Sequence, residues 1–66
     1  MVSQCYLNYE KLRDQRHMTD YAVGKRANIN RAAFTQWRRG MTSPSLQSLE
    51  KLAAFFDVDV QYFYEG

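Results

Sequence analysis

Residues that begin and end helices divide this sequence into short segments. Thr19 and Asn30 are preferred N-terminal caps, and Gly40 is a preferred residue just beyond a helix end. Between these caps, the apolar residues recur with the spacing of one helix face. We therefore predict five short helices, over residues 8–16, 19–27, 30–39, 45–56 and 59–64.

The length of 66 residues limits what these helices can build. A chain of this size corresponds to one small domain, residues 1–66, and excludes a two-domain enzyme or a cofactor barrel. Cys5 has no second cysteine with which to form a disulfide. No apolar run approaches the ~20 residues of a membrane span, and the first residues lack the features of a signal peptide. We expect a compact all-α domain in the cytoplasm, with no membrane association.

The first and last segments are expected to close the core. Asn8 is the predicted N-cap of the first helix, with Tyr9 on its buried face. His17 is the predicted helix stop, because histidine tolerates positive φ better than most residues. Asp59 is the predicted cap of the last segment. Residues 57–64 also alternate like a strand, but a helical turn is preferred because no second strand is available for pairing.

The second and third segments are joined by only two residues, Asn28 and Ile29. Two short helices in this arrangement have the layout of a helix-turn-helix. Phe34 and Trp37 mark the buried face of the third helix, so Trp37 is expected in the core. Gly24, inside the second helix, predicts the close approach of another helix backbone. The outward face of the third helix then carries small, polar and cationic side chains.

The charges are distributed unevenly along the chain. Residues 1–40 hold eight basic and three acidic residues, whereas residues 41–66 hold one basic and four acidic residues. A basic first part suggests a side that faces a polyanion, although a solvated surface of mixed charge is an alternative interpretation.

The joint spacing of many residues resembles one known family. The matching positions are Leu12-Arg13, Met18-Thr19, Val23-Gly24, Ala27-Asn28-Ile29-Asn30, Phe34-Thr35-Gln36-Trp37, Gly40, Pro44, Leu49, Leu52-Ala53, Phe56 and Val58. With these residues the chain resembles the Cro- and phage-repressor-like helix-turn-helix proteins over about residues 7–64. The resemblance implies a five-helix, lambda-repressor-like bundle that reads double-stranded DNA, usually as a dimer.

The resemblance also implies which residues contact DNA. The positions that face base edges in that family are matched here by Arg31, Ala32, Thr35 and Gln36. The positions that meet the sugar-phosphate backbone are matched by Thr19, Asp20, Asn30, Arg39, Thr42 and Ser43. Arg31 could donate two hydrogen bonds to guanine and Gln36 could pair with adenine. A phosphate contact for Arg31 and a solvated amide for Gln36 are the alternatives.

Three residues depart from the family pattern. Asp20 stands where the family often has Gln, and Arg38 stands where it often has a Glu that pairs with the position of Arg13. Because a carboxylate repels phosphate, Asp20 is expected to stabilise the helix by interacting with the helix dipole, or to accept a hydrogen bond from cytosine or a nearby arginine. Arg13 must then find Asp14, Asp20, a carbonyl or a phosphate. Asn28 replaces the usual turn glycine.

Ten aromatic residues are more than so small a core can hide completely. Tyr6, Tyr62 and Tyr64 are therefore candidates for a dimer face. We expect a phage- or prophage-type repressor that binds an operator in double-stranded DNA as a homodimer. An antitoxin-type module, whose C-terminal aromatic face binds a partner protein, is the alternative. Lone Cys5 and lone His17 predict no enzyme, no cofactor and no metal site.

Overall fold

The computed structural model describes residues 1–65, and within them all regular structure is helical. The elements are α1 (Gln4–Gln15), α2 (Asp20–Ala27), α3 (Arg31–Arg38), α4 (Leu46–Phe56) and a C-terminal 3₁₀-helix (Val60–Tyr64). The all-α fold class is confirmed. No helix in this part of the chain is long and apolar enough to cross a membrane.

The expected fifth α-helix is a single stretch of 3₁₀-helix instead. Asp59 caps it as predicted, its side chain accepting from the backbone N–H of Gln61 at 2.9 Å. The backbone N–H of Tyr62 donates to the carbonyl of Asp59, a spacing of three residues. Its length of five residues is typical of 3₁₀-helices, which occur mostly as short pieces.

The start of α1 corrects the prediction made for Asn8. The helix begins four residues earlier than expected, and Ser3 is its N-cap, accepting from the backbone N–H of Tyr6 at 3.2 Å. Asn8 lies inside the helix with only 5% of its surface exposed. Its amide nitrogen donates to the carbonyls of Phe63, at 3.1 Å, and of Glu65. Asn8 therefore ties the C-terminal residues to α1, a long-range role that a local capping rule cannot detect.

The other helix boundaries follow the predicted caps. Thr19 accepts from the N–H of Ala22 at 3.1 Å, and Asn30 accepts from the N–H of Ala32 at 2.8 Å. Ser45 caps α4, which agrees with the predicted start of this helix at residue 45. The residues with positive φ are His17, Asn28, Asp57 and Gly40. His17 and Gly40 were expected to lie at helix ends, whereas Asp57, which ends α4, was not.

Aromatic side chains from α1, α3 and α4 meet at the centre of the molecule. The Tyr9 ring lies 5.6 Å from that of Phe34 and 6.3 Å from that of Phe56, centroid to centroid. Trp37 packs edge-on against Phe34 at 4.9 Å and is 4% exposed, which confirms its place in the core. This aromatic core is the platform on which α3 rests.

Gly24 sets the separation of α2 and α3. A Cβ atom on this residue would lie 2.8 Å from Cε2 of Phe34 and 3.0 Å from the carbonyl oxygen of Ile29. The close approach expected here is therefore present, but it comes from a ring of α3 and a turn carbonyl rather than from another helix backbone. The N–H of Ile29 also donates to the carbonyl of Gly24 at 2.9 Å.

Candidate nucleic-acid interface

Two eight-residue helices, α2 and α3, form the candidate interface together with the turn between them. The turn reverses the chain at Asn28, which adopts the left-handed conformation with φ of 60°. Ile29 is buried beneath the turn and Asn30 caps α3. A short turn that is packed underneath and capped afterwards leaves α3 little freedom to change its angle to α2.

The outer face of α3 comprises Arg31, Ala32, Thr35 and Gln36. Residues at these spacings lie on one side of a helix. Arg31, Ala32 and Gln36 are exposed and Thr35 is partly exposed, whereas Phe34 lies buried on the opposite side. The structure therefore brings the four residues predicted to read bases together on one accessible surface. Their contacts with DNA stay a prediction.

The residues predicted to meet the DNA backbone divide into two groups. Thr19 and Asn30 are exposed caps at the N-termini of α2 and α3, where several backbone N–H groups lack helical partners. The exposed residues Arg39, Thr42 and Ser43 follow α3. Both groups are exposed to solvent, and their contacts with DNA stay a prediction.

Asp20 is the remaining residue predicted to meet the DNA backbone, and its side chain forms hydrogen bonds within the protein instead. Its Oδ1 accepts from the Tyr9 hydroxyl at 2.7 Å and from Nη1 of Arg13 at 2.8 Å. Its Oδ2 accepts from the Tyr6 hydroxyl at 3.1 Å and from Nη1 of Arg38 at 3.1 Å. We call these five residues the Asp20 cluster. Because its members come from α1, α2 and α3, it fixes the helix-turn-helix to the rest of the molecule.

Protonation of the Asp20 cluster follows from these contacts. Burial alone would raise the pKa of Asp20, but the hydrogen bonds from Tyr9 and Arg13 hold this pKa below its usual value. Burial and the neighbouring carboxylate raise the pKa of Tyr6 to about 12. The carboxylate is therefore ionised and the phenols are neutral at physiological pH, which is the combination that all four hydrogen bonds require.

Part of the Asp20 cluster was predicted from the sequence. A nearby arginine was one of the predicted partners of Asp20, and the alternatives for Arg13 were Asp14, Asp20, a carbonyl or a phosphate. In the structure Arg13 pairs with both Asp14 and Asp20, each at 2.8 Å. The contribution of Tyr6 was missed, although its buried hydroxyl needs a partner. Tyr6 is only 1% exposed, so its assignment to a dimer face is wrong.

The other candidates for a dimer face remain accessible to different degrees. Tyr64 is 49% exposed, whereas Tyr62 is partly buried with its ring edge-on to Phe63 at 5.4 Å. The C-terminal 3₁₀-helix that carries them packs on α1 and α4. A partner bound there would cover a part of the molecule other than the outer face of α3.

An open cavity of about 410 Å³ lies between α1, α2 and α3. Asp20, Arg38, Tyr21 and Arg31 are among the residues that line it. The Cζ atom of Arg31 lies 5.8 Å from the centre of the Tyr21 ring, a distance typical of a cation–π contact. Tyr21 was not among the residues predicted to be functional. The sequence indicated it only as an aromatic residue in the otherwise polar first turn of α2.

The segment that forms the helix-turn-helix, residues 19–40, carries a net positive charge. Between Thr19 and Gly40, five basic residues accompany the single acidic residue Asp20. That carboxylate is already neutralised by Arg13 and Arg38. Basic side chains in this arrangement attract a polyanion such as a nucleic-acid backbone.

Comparison with known proteins places most of the chain in one family. A family model described as helix-turn-helix matches residues 10–63, which includes α2, the turn and α3. No curated protein and no solved structure shows detectable similarity to the chain.

Proposed function

Because the chain belongs to the helix-turn-helix family of DNA-binding regulators, we propose that it is a sequence-specific transcriptional repressor of the phage or prophage type. In this proposal it binds an operator in double-stranded DNA as a homodimer and occludes the promoter. The observation that carries the proposal is the outer face of α3. This face is accessible and bears hydrogen-bonding side chains, and the opposite face of α3 packs through Phe34 and Trp37 in a buried aromatic core.

Base reading is assigned to the outer face of α3. The major groove is about 12 Å wide and admits one helix with its side chains. Arg31 donates to O6 and N7 of guanine, and Gln36 forms paired hydrogen bonds with adenine. Ala32 and the methyl group of Thr35 contact thymine methyl groups. Each two-bond contact discriminates against a wrong base by roughly 1–3 kcal/mol.

Backbone contacts hold the protein in register on the duplex. Thr19, Asn30, Arg39, Thr42 and Ser43 supply hydroxyl, amide and guanidinium groups to the phosphates. Asp20 contributes through its backbone rather than its side chain, because its carboxylate already accepts four hydrogen bonds within the cluster. The N–H of Asp20, in the first turn of α2, is one of the groups without a helical partner and can donate to phosphate.

Dimerisation is assigned to the C-terminal surface around Tyr64. Two recognition helices in a dimer must lie about 34–36 Å apart to enter successive major grooves on one face of DNA. The half-exposed Tyr64 ring is also the observation that favours the second candidate function, an antitoxin-type module that binds a partner protein there.

Selection of binding sites from random duplex DNA at physiological salt tests the proposal. We expect enrichment of a two-fold symmetric site whose half-sites are one helical turn apart. Enrichment of a single, non-symmetric half-site would keep DNA reading but contradict dimerisation. If no sequence were enriched, specific DNA reading would be wrong and the partner-binding function would take its place.

A further inference from the structure

Tyr21 and Arg31 form an isolated pair at the edge of the proposed reading surface. Tyr21 is 60% exposed, which is unusual for so large a ring, and it projects from the first turn of α2. Within residues 1–65, its hydroxyl makes no hydrogen bond and the guanidinium of Arg31 makes no ion pair. The guanidinium instead lies against the Tyr21 ring, with its Cζ atom 5.8 Å from the ring centre.

We propose that Tyr21 is a positioning residue that sets base specificity through Arg31. This inference rests on the proposed function, since it assumes that Arg31 reads a base. An arginine has many rotamers, and ordering one of them on binding costs entropy. A ring that already holds the guanidinium removes part of this cost before DNA arrives.

The chemistry of the two groups permits positioning and reading at the same time. A guanidinium contacts an aromatic ring through its flat face, whereas it donates hydrogen bonds from its edge. The edge of Arg31 is therefore available for O6 and N7 of guanine while Tyr21 covers the face. A lysine in place of Arg31 would lack this division of roles.

The backbone around Tyr21 is well fixed, as a positioning residue requires. Thr19 caps the same turn, and the neighbouring Asp20 is held by four hydrogen bonds. Tyr21 and Arg31 also line a smaller cavity of about 140 Å³, together with Gly24 and Ile29.

A double-mutant cycle with Tyr21→Ala and Arg31→Ala tests the inference on duplexes in which each base pair of the selected site is changed in turn. We expect Tyr21→Ala to reduce the preference at the base pair read by Arg31 by about two- to fivefold, the range of an exposed cation–π contact. Preferences at other base pairs should stay the same. In the Arg31→Ala background, Tyr21→Ala should have no further effect.

The conservative variant Tyr21→Phe keeps the ring and should keep the wild-type preference. If Tyr21→Phe behaved like Tyr21→Ala, the hydroxyl would be contacting DNA directly and positioning through the ring would be wrong. An equal loss at every base pair, or an undiminished effect in the Arg31→Ala background, would also overturn the inference.

A second measurement needs no DNA. The ring of Tyr21 should shift the Nε–Hε NMR signal of Arg31 upfield, and Tyr21→Ala should abolish this shift while Gln36→Ala leaves it unchanged. Absence of the shift in the wild-type protein would show that the pair does not form in solution.

If no DNA site can be selected, the proposed function fails and the specificity role fails with it. If Arg31→Ala loses preference at one base pair and Tyr21→Ala does not, the positioning role alone fails.

Discussion

The Asp20 cluster and the outer face of α3 line the same cavity and both contain guanidinium and hydroxyl groups. They differ in whether these groups have hydrogen-bond partners within the protein. In the cluster, each carboxylate oxygen accepts two hydrogen bonds from within the protein. On the outer face of α3, Arg31 and Gln36 make no side-chain hydrogen bond within residues 1–65. The difference teaches that polar groups satisfied internally set the angle of the helices, whereas unsatisfied polar groups are available to a ligand.

The largest effect is expected from Asp20→Ala, which removes the centre of the cluster. Arg13 and two tyrosine hydroxyls would lose their shared acceptor in a partly buried site. The free energy of unfolding should fall by about 3 kcal/mol, as when one partner of a buried ion pair is removed. Urea unfolding followed by circular dichroism measures this loss.

Asp14→Asn is the matched control, because Asp14 pairs with the same arginine from an exposed position. It should change the free energy of unfolding by less than about 1 kcal/mol. Equal losses for Asp14→Asn and Asp20→Ala would show that the cluster does not organise the fold.

Arg31→Ala tests the other region and should show the opposite pattern. Its free energy of unfolding should stay within about 0.5 kcal/mol of the wild-type value, because the side chain is exposed. The preference for one base pair in each half-site should weaken by about 2 kcal/mol. Competition binding with operator variants measures this preference, and a loss of stability instead would contradict the division between the two regions.

Lowering the pH should weaken the stabilisation by the Asp20 cluster in the wild-type protein. The pKa of Asp20 lies below its usual value in the folded protein, so its contribution to stability is fully present above the pKa of an unfolded aspartate, about 3.9. This contribution is lost as the pH falls through the lower folded-state pKa. Unfolding in urea from pH 6 to pH 2 should show the decline, and Asp20→Asn should make it shallower. An unchanged profile in Asp20→Asn would assign the decline to other carboxylates.

The smallest expected effect comes from Arg39→Ala at the end of α3. A side chain that contacts only phosphate should weaken binding to all sequences alike. The slope of log affinity against log salt should decrease in magnitude by about 0.9. Salt titrations on the selected site and on random DNA measure this, and a change confined to one base pair would make Arg39 a reader instead.

Much of the helix-turn-helix was predictable because its signals are local. Thr19, Asn30 and Gly40 act on the backbone within a few residues, so their sequence context determines where α2 and α3 begin and end. Phe34 and Trp37 were placed correctly in the core by helical spacing alone. Residues that act at short range can be interpreted without knowing the rest of the fold.

The errors concern residues whose partners are distant in sequence. Asn8 is a good cap by type, but its amide serves carbonyls more than fifty residues away. Tyr6 was assigned to the surface because counting aromatic residues cannot tell which of them the core admits. Asp20 had several chemically acceptable partners, and only the packing of α1 against α2 and α3 decides among them.

The Asp20 cluster also has an evolutionary consequence. The proteins that this chain resembles often have Gln at the position of Asp20 and Glu at that of Arg38, so the carboxylate is supplied there from α3 rather than from α2. Either arrangement gives Arg13 a counter-ion at the same junction, but a chain with both Gln and Arg would leave two guanidinium groups facing each other. Positions 20 and 38 are therefore expected to covary among relatives, with the negative charge passing between helices and the junction itself remaining constant.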